Sequence, residues 1–145
     1  MTPFDTINSF FQAIIDKKVA AICAFYVPDE HTYVILEGPR LSTLGYEAIA
    51  KGWKDFCVST IHLKTIHWVE GPFEEAVSQM AWVSGIVHLT ISIQGKTFEQ
   101  TFRTSFVLKK SDNTEGGGLI RHEHVSGALA DPYGIGDWLK PNDDK

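Results

Sequence analysis

The chain has few cysteines, no cluster of basic residues and no long apolar run. Cys23 and Cys57 are its two cysteines, and both lie among apolar residues of predicted helices. We therefore expect buried thiols in a reducing compartment rather than a disulfide or a reactive thiol. The formal net charge is −5, which argues against a nucleic-acid partner. No apolar stretch approaches membrane-spanning length and no basic segment opens the chain, so neither a membrane partner nor a signal peptide is predicted. A cytoplasmic protein is expected.

The residues that are present indicate a folded core. The sequence has 145 residues, with nine Phe and four Trp among them, which is enough apolar material for one domain. We predict a single domain over residues 1–127. Residues 128–145 contain Pro, Gly, Tyr133 and Trp138 and are expected to form an irregular tail.

Hydrophobic spacing predicts helices in the first part of the chain. Thr2, Pro3 and Asp5 form a helix start, because Thr2 can cap and Pro3 suits the first helical turn. The stripe that follows is typical of an amphipathic helix and consists of Ile7, Phe10, Phe11, Ile14 and Ile15. A short second helix is predicted over 19–26 and a strand over 31–37, before Gly38-Pro39. A third helix is predicted over 46–57, with Ser42 and Thr43 as cap candidates.

The rest of the chain is rich in strand-forming residues. Strands are predicted over 60–70, 75–93, 96–110 and 119–126, with turns at Gly71-Pro72 and Gln94-Gly95 and a polar loop over 111–118. The order α-α-β-α-β-β-β-β indicates an α+β domain in which three helices pack on a curved antiparallel sheet. Such a sheet leaves a cone-shaped cavity at one end, where a ligand pocket is common.

The last strand carries the most distinctive pattern. Strict alternation would place Ile120, His122, His124 and Ser126 on one face and Arg121, Glu123 and Val125 on the other. The segment reads as the last strand of a sheet whose one face is covered, and imidazoles enclosed on that face would titrate near neutral pH. We therefore predict that His122 and His124 face the cavity.

The pattern Ile120-x-His122-x-His124-x-Ser126-Gly127 after a glycine-rich loop, together with the element order, resembles the NTF2-like (cystatin-like) superfamily. The resemblance is to its SnoaL-like branch and to the calcium/calmodulin-dependent kinase association domain. It implies a homodimer paired through the outer sheet face and a small apolar ligand in the cone. Ketosteroid isomerase, scytalone dehydratase, limonene epoxide hydrolase and polyketide cyclase share this fold, so the fold alone does not identify an activity.

The catalytic groups of ketosteroid isomerase are only partly matched. Glu37 lies about where the resemblance implies a carboxylate base. The first helix offers Phe10 and Phe11 where the isomerase has a Tyr, and Thr104 stands near the position of its protonated Asp. Since both oxyanion donors are missing, isomerase chemistry is not expected.

Six residues remain as candidates for the cavity. His122 and His124 could act as acid and base or could anchor the polar end of a ligand, and Glu37 could assist; the ligand-binding set is Trp53, His122, His124, Glu37, Phe10 and Thr104. Metal binding by His122 and His124 with His88 is not expected, because no Cys or acidic partner has the required spacing, and no cofactor is predicted. Tyr33 and Trp82 are interpreted as packing residues. Arg103 is interpreted as an outer-face or interface residue, with a cavity position as the alternative if the strand register is shifted.

Three functions follow as hypotheses. The leading one is a small domain that binds a largely apolar molecule in its cone. The first alternative is an enzyme that performs proton transfer, dehydration or cyclisation with His122 or His124 as the base. The second is an oligomerisation or protein-interaction module whose working surface is the outer sheet face.

Overall fold

The computed structural model describes residues 1–110 and 117–128. The predicted loop over 111–118, apart from its two last glycines, and the predicted tail with Tyr133 and Trp138, apart from Ala128, lie outside the described residues. Among the described residues, no helix has the length and apolar character needed to cross a bilayer.

The first helix, α1, is Pro3–Ile15 and begins as predicted. The Thr2 hydroxyl accepts a hydrogen bond from the Asp5 amide at 3.1 Å, and the Asp5 carboxylate accepts one from the Thr2 amide at 2.9 Å. This reciprocal cap satisfies two amides that the helix itself leaves without partners. The predicted apolar stripe is buried in all its main members, which are Ile7, Phe10, Phe11 and Ile14.

The two other helices are α2, Val19–Cys23, and α3, Tyr46–Val58. The cap prediction for α3 is wrong, because Gly45 takes the N-cap position. Thr43 instead belongs to a two-residue strand, where it pairs with Val34. A backbone already bonded into a sheet cannot also turn into the first residue of a helix, so α3 begins later than the polar residues suggested.

Six strands form one curved sheet in the order β2-β1-β6-β5-β4-β3. Their bounds are Tyr33–Ile35 for β1, Thr43–Leu44 for β2, Ile61–Ala76 for β3, Met80–Ile93 for β4, Lys96–Lys109 for β5 and Leu119–Ser126 for β6. The predicted α+β order is confirmed, with β2 added. The sheet is mixed rather than wholly antiparallel, because β1 runs parallel to β6.

The hairpin between β3 and β4 differs from the prediction. Gly71-Pro72 does not end the strand: β3 continues to Ala76, and the register shifts just before this dipeptide and again across it. Proline is tolerated there because β3 is an edge strand with an irregular ladder. The predicted turn at Gln94-Gly95 is confirmed, and both residues have a positive φ (51° and 84°), as a two-residue hairpin loop requires.

The core lies between α1 and the concave face of the sheet. Phe10 has no exposed surface and meets Tyr26, Trp53 and Phe106 edge-on, with ring centroids 5.6–6.0 Å apart. Burial of a side chain of this size contributes about 2–3 kcal/mol, and edge-to-face contacts add to it. Phe10 therefore fixes the distance between helix and sheet on one side of the cavity described next.

Candidate functional site

An irregularity in β6 decides which of its side chains face the concave side. Leu108 pairs with Ile120 while the preceding residue of β5, Val107, pairs with His122, so Arg121 is an extra residue opposite this step. Such a β-bulge reverses the alternation beyond it. Ile120 and Glu123 are both buried, although strict alternation would separate them.

The prediction that His122 and His124 face the cavity is therefore wrong. Both rings lie outside the cavity lining. His122 Nδ1 donates to the Tyr33 carbonyl at 2.9 Å, and its ring stacks on the Tyr33 ring at 5.6 Å with an 11° interplanar angle. His124 is exposed. The hypothesis of an enzyme with a histidine base is therefore not supported, because neither imidazole reaches the cavity.

The bulged residue itself forms an ion pair. Arg121 donates from Nη1 to Asp29 Oδ1 at 2.7 Å and from Nη2 to Asp29 Oδ2 at 3.1 Å. This bidentate geometry lowers the Asp29 pKa to about 2, mainly through the hydrogen bonds from Arg121. The pair ties the segment before β1 to the bulge.

A cavity of about 400 Å³ lies between the helices and the concave face. Its wall is almost wholly apolar, and its aromatic members are Phe10, Phe11, Trp53, Phe56 and Phe102. Of the six residues predicted for the site, the structure places four in this lining: Phe10, Glu37, Trp53 and Thr104. The volume is within the range of small-molecule sites, about 300–1,000 Å³.

Glu123 is a buried carboxyl group in the cavity wall. It is 2% exposed, and its Oε1 accepts a hydrogen bond of 2.5 Å from the Tyr26 hydroxyl, which in turn accepts one of 3.0 Å from Trp53 Nε1. Burial raises the Glu123 pKa to about 7, and the Tyr26 hydrogen bond opposes this rise. Burial also raises the Tyr26 pKa, with the negative charge of Glu123 contributing. Glu123 can therefore gain or lose a proton near neutral pH.

The second oxygen of Glu123 is available to a ligand. No hydrogen bond to Oε2 is formed by the described residues. Within the same residues, every fully buried side-chain oxygen or nitrogen has a partner. Since Glu123 lines the cavity, we infer that Oε2 faces its open space.

Glu37 and Thr104 contribute polar atoms elsewhere in the lining. Glu37 follows β1, is exposed, and so lies at the cavity mouth, where its Oε2 accepts a hydrogen bond from the Gly127 amide. Thr104 is buried and donates its hydroxyl proton to the Gly85 carbonyl at 3.2 Å. Arg103 lies outside the lining and donates to the Gly127 carbonyl at 2.7 Å, which agrees with the outer-face interpretation.

The remaining sequence candidates lie on the convex outer face. His88 contacts Thr101 Oγ1 at 3.1 Å and Glu99 Oε1 at 2.9 Å, not His122 or His124. No set of three or more His, Cys, Asp or Glu side chains in the described ranges is placed to hold a metal ion. Trp82 is 41% exposed, which is more than its interpretation as a packing residue implies.

Tyr26 and Glu123 are the polar residues that sequence reasoning missed. Tyr26 follows a predicted helix and reads as an ordinary apolar position. Glu123 alternates with the two histidines, and a bulge of this kind has no obligatory residue type that would reveal it. The remaining signal was Glu123 itself, an acidic residue in a strand whose Ile120 and Val125 face inward.

Comparison with protein-family models and with curated proteins gave no match. Solved structures do match. An NTF2-like superfamily protein from Salmonella enterica serovar Typhimurium shares 24% identity, with a TM-score of 0.76 over 92% of this chain and 93% of that one. A ketosteroid isomerase-like protein from Erwinia carotovora shares 14%, with a TM-score of 0.70 over 87% and 93%.

A proposed calcium/calmodulin-dependent protein kinase type II association domain from Thiobacillus denitrificans shares 18% identity, with a TM-score of 0.68 over 88% of this chain and 96% of that one. Identities this low establish a shared fold and no shared activity. The helices, the curved six-stranded sheet and these matches together show that the chain has the NTF2-like fold.

Proposed function

We propose that this protein binds a small, largely apolar molecule whose single polar group meets Glu123. The observation that supports the proposal is the open Oε2 of a buried carboxyl group inside an apolar cavity of about 400 Å³. A carboxyl oxygen that is partly removed from water and has no protein partner gains more from a ligand hydrogen bond than one in bulk solvent. A ligand that supplies the partner therefore gains affinity and a fixed orientation.

The apolar wall supplies most of the binding free energy in this proposal. Each methylene group that a ligand moves from water into such a wall contributes about 0.8 kcal/mol. The aromatic rings add contact area at little cost in side-chain entropy, since Phe10 and Phe11 are already held in the core. Hydrophobic molecules with one polar end are expected to bind best.

Gly52 offers a direct test of ligand binding. It borders the cavity on α3, and a Cβ added there meets no atom within 4 Å. Gly52→Leu should fill part of the cavity without disturbing the core, whereas Gly52→Ala adds only one methyl group. Binding of a panel of hydrophobic fragments, followed by tryptophan fluorescence and by NMR chemical shifts, should weaken tenfold or more in Gly52→Leu and little in Gly52→Ala. Equal binding by both variants, or no fragment bound by the wild type, would contradict the proposal.

We propose proton transfer to or from the bound molecule as a second candidate function. It rests on Glu123, which takes the place of the predicted histidine base: the carboxyl group is in the cavity, and its pKa of about 7 suits a general acid or base at neutral pH. The test is deuterium uptake from D₂O next to the carbonyl group of 4-phenyl-2-butanone, followed by NMR. Wild-type protein should accelerate uptake and Glu123→Gln should not; equal rates would exclude this candidate for that ketone.

We further propose that two copies of the chain pair through the convex face. One row of registered residues crosses four adjacent strands there and consists of Trp82, Val107, His122 and Tyr33, which we call the outer row. Trp82 and Tyr33 are 41% and 37% exposed. Exposed aromatic side chains are enriched at protein interfaces, and the resemblance to NTF2-like proteins favours a second copy as the partner.

A further inference from the structure

The proton of Glu123, when it carries one, has a fixed place. The indole N–H of Trp53 can only donate, so the Tyr26 oxygen is the acceptor of that hydrogen bond. Tyr26 is 1% exposed, and its own proton is directed to Glu123 Oε1. Oε1 is thus occupied as an acceptor, and Oε2 is the oxygen that meets a ligand, as an O–H donor or as a carboxylate acceptor.

The charged groups that line the cavity indicate which ligand charge it favours. Among the described residues, Glu123 and Glu37 are the only ionisable groups that line it, and no Lys, Arg or His does. A ligand with a carboxylate or phosphate group would meet like charge with no cation to offset it. Anionic ligands are therefore disfavoured, and a cationic one is favoured.

The aromatic wall favours the same ligand charge. Trp53 lines the cavity and its indole bonds to the same Tyr26 hydroxyl that holds Glu123, while Phe10 and Phe56 meet Trp53 edge-on at 6.0 and 5.5 Å. Aromatic faces attract an ammonium group, most strongly where water is excluded. A carboxylate in a cavity lined by aromatic rings is a recognition pattern for alkylammonium groups rather than for a neutral carbonyl or hydroxyl group.

The geometry points to a small hydrophobic amine as the ligand, with its ammonium group on Glu123 Oε2 and its hydrocarbon part against the aromatic wall. This inference rests on the proposed ligand-binding function and specifies its chemical class. The ammonium group supplies the donor that Oε2 lacks and neutralises a buried negative charge. A neutral molecule of the same shape can supply a hydrogen bond but cannot neutralise the charge.

The test compares 2-phenylethylamine with 2-phenylethanol, which has the same hydrocarbon part and a neutral polar end. Binding to the full chain is measured by isothermal titration calorimetry and by NMR titration at neutral pH. We expect the amine to bind at least tenfold more tightly than the alcohol. Glu123→Gln keeps the acceptor for Tyr26 and removes the charge, so it should abolish this preference. Glu30→Gln removes one charge from a side chain that is 84% exposed and should preserve it.

Each outcome separates this inference from the function on which it rests. If both probes bind equally, or the alcohol binds better, ligand binding stands and the amine inference is overturned. If the amine preference persists in Glu123→Gln, or falls equally in Glu30→Gln, the preference comes from overall charge and the inference is again overturned. If neither probe binds to folded protein at millimolar concentration, both the inference and the proposed function fail for compounds of this size.

Discussion

At the scale of single residues, burial of the Glu123 carboxyl group costs stability, whereas the proposed function gives it a role in ligand binding. An ionised carboxylate loses most of its hydration on burial, and a single hydrogen bond from Tyr26 offsets only part of that loss. The chain retains the group at 2% exposure with one oxygen open to the cavity. An apolar side chain would fill the core at lower cost, so the proposed role in binding would account for a carboxyl group at this position.

The burial of Glu123 predicts how stability depends on pH. Its pKa rises from 4.5 to about 7 on folding, so the native state holds a proton that the unfolded chain releases between these values. The free energy of unfolding should therefore fall as pH rises from about 4.5 to about 7, by up to about 3 kcal/mol. Glu123→Gln carries no titrating group and should lack this fall.

Urea denaturation of wild type and Glu123→Gln at about pH 4.5 and about pH 8 measures the difference. Histidines and other carboxylates contribute equally to both proteins, so the comparison isolates position 123. Glu30→Gln serves as the exposed control and should follow the wild type. Parallel pH profiles for wild type and Glu123→Gln would show that the carboxyl group is hydrated in the native state.

Sequence reasoning reached part of the site at this scale. Phe10, Trp53, Glu37 and Thr104 were predicted for the cavity from the resemblance to NTF2-like proteins, and all four lie in its lining. His122 and His124 were misplaced, because alternation was extended through a strand that contains a bulge. The hydrogen bond between Tyr26 and Glu123 joins residues 97 positions apart, and no local pattern encodes such a contact.

At the scale of elements, glycine has opposite effects on stability in α3 and in the β4–β5 turn. Gly52 lies inside α3 and lacks a positive φ, so its flexibility only weakens the helix. Gly95 has a φ of 84° in the hairpin turn, a conformation that an L side chain adopts at a cost. At both glycines an added Cβ would have no atom within 4 Å. Steric clashes therefore do not contribute to the difference between the two substitutions.

Gly52→Ala should raise the free energy of unfolding by about 0.5–1 kcal/mol, because alanine loses less backbone entropy in a helix. Gly95→Ala should lower it by about 1 kcal/mol or more, because alanine would be strained at a positive φ. Chemical denaturation of the two variants beside the wild type gives both values. Changes of the same sign would contradict the helical assignment of Gly52 or the turn geometry of Gly95.

The elements also show where local sequence signals fail. The α1 boundary was predicted correctly because Thr2, Pro3 and Asp5 act within one turn. The β3–β4 hairpin was misplaced, because Gly71-Pro72 looks like a turn in sequence but is accommodated in an edge strand. Edge position is a property of the assembled sheet, and it cannot be read from the strand alone.

At the scale of the whole molecule, the curved sheet separates two surfaces of different character. Its concave face, with α1 and α3, encloses the apolar cavity and Glu123. Its convex face carries the outer row and both misplaced histidines. The bulge in β6 makes this division, because it directs Glu123 inward and leaves His122 stacked on Tyr33 outside. The overall fold was predictable from the order of the elements. The parallel pairing of β1 with β6 could be seen only in the assembled structure.

The outer row makes the proposed pairing of two copies testable. Trp82 is 41% exposed at one end of the row, while Phe98 is 44% exposed on β5, outside the row. A stable dimer buries about 1,200–2,000 Å², and a charge placed inside it would be desolvated without a partner. Sedimentation velocity should therefore show a dimer for the wild type and for Phe98→Glu, and dissociation for Trp82→Glu.

This pair of variants locates the interface as well as detecting it. Both substitutions replace an aromatic side chain of similar exposure by the same charge, so a general effect on solubility would alter both proteins equally. Circular dichroism checks that each variant stays folded, since both side chains lie at the surface rather than in the core. Dissociation by Phe98→Glu but not by Trp82→Glu would move the interface away from the outer row. A wild-type monomer at high concentration would rule the pairing out, and the convex face would then remain exposed to solvent in the isolated protein.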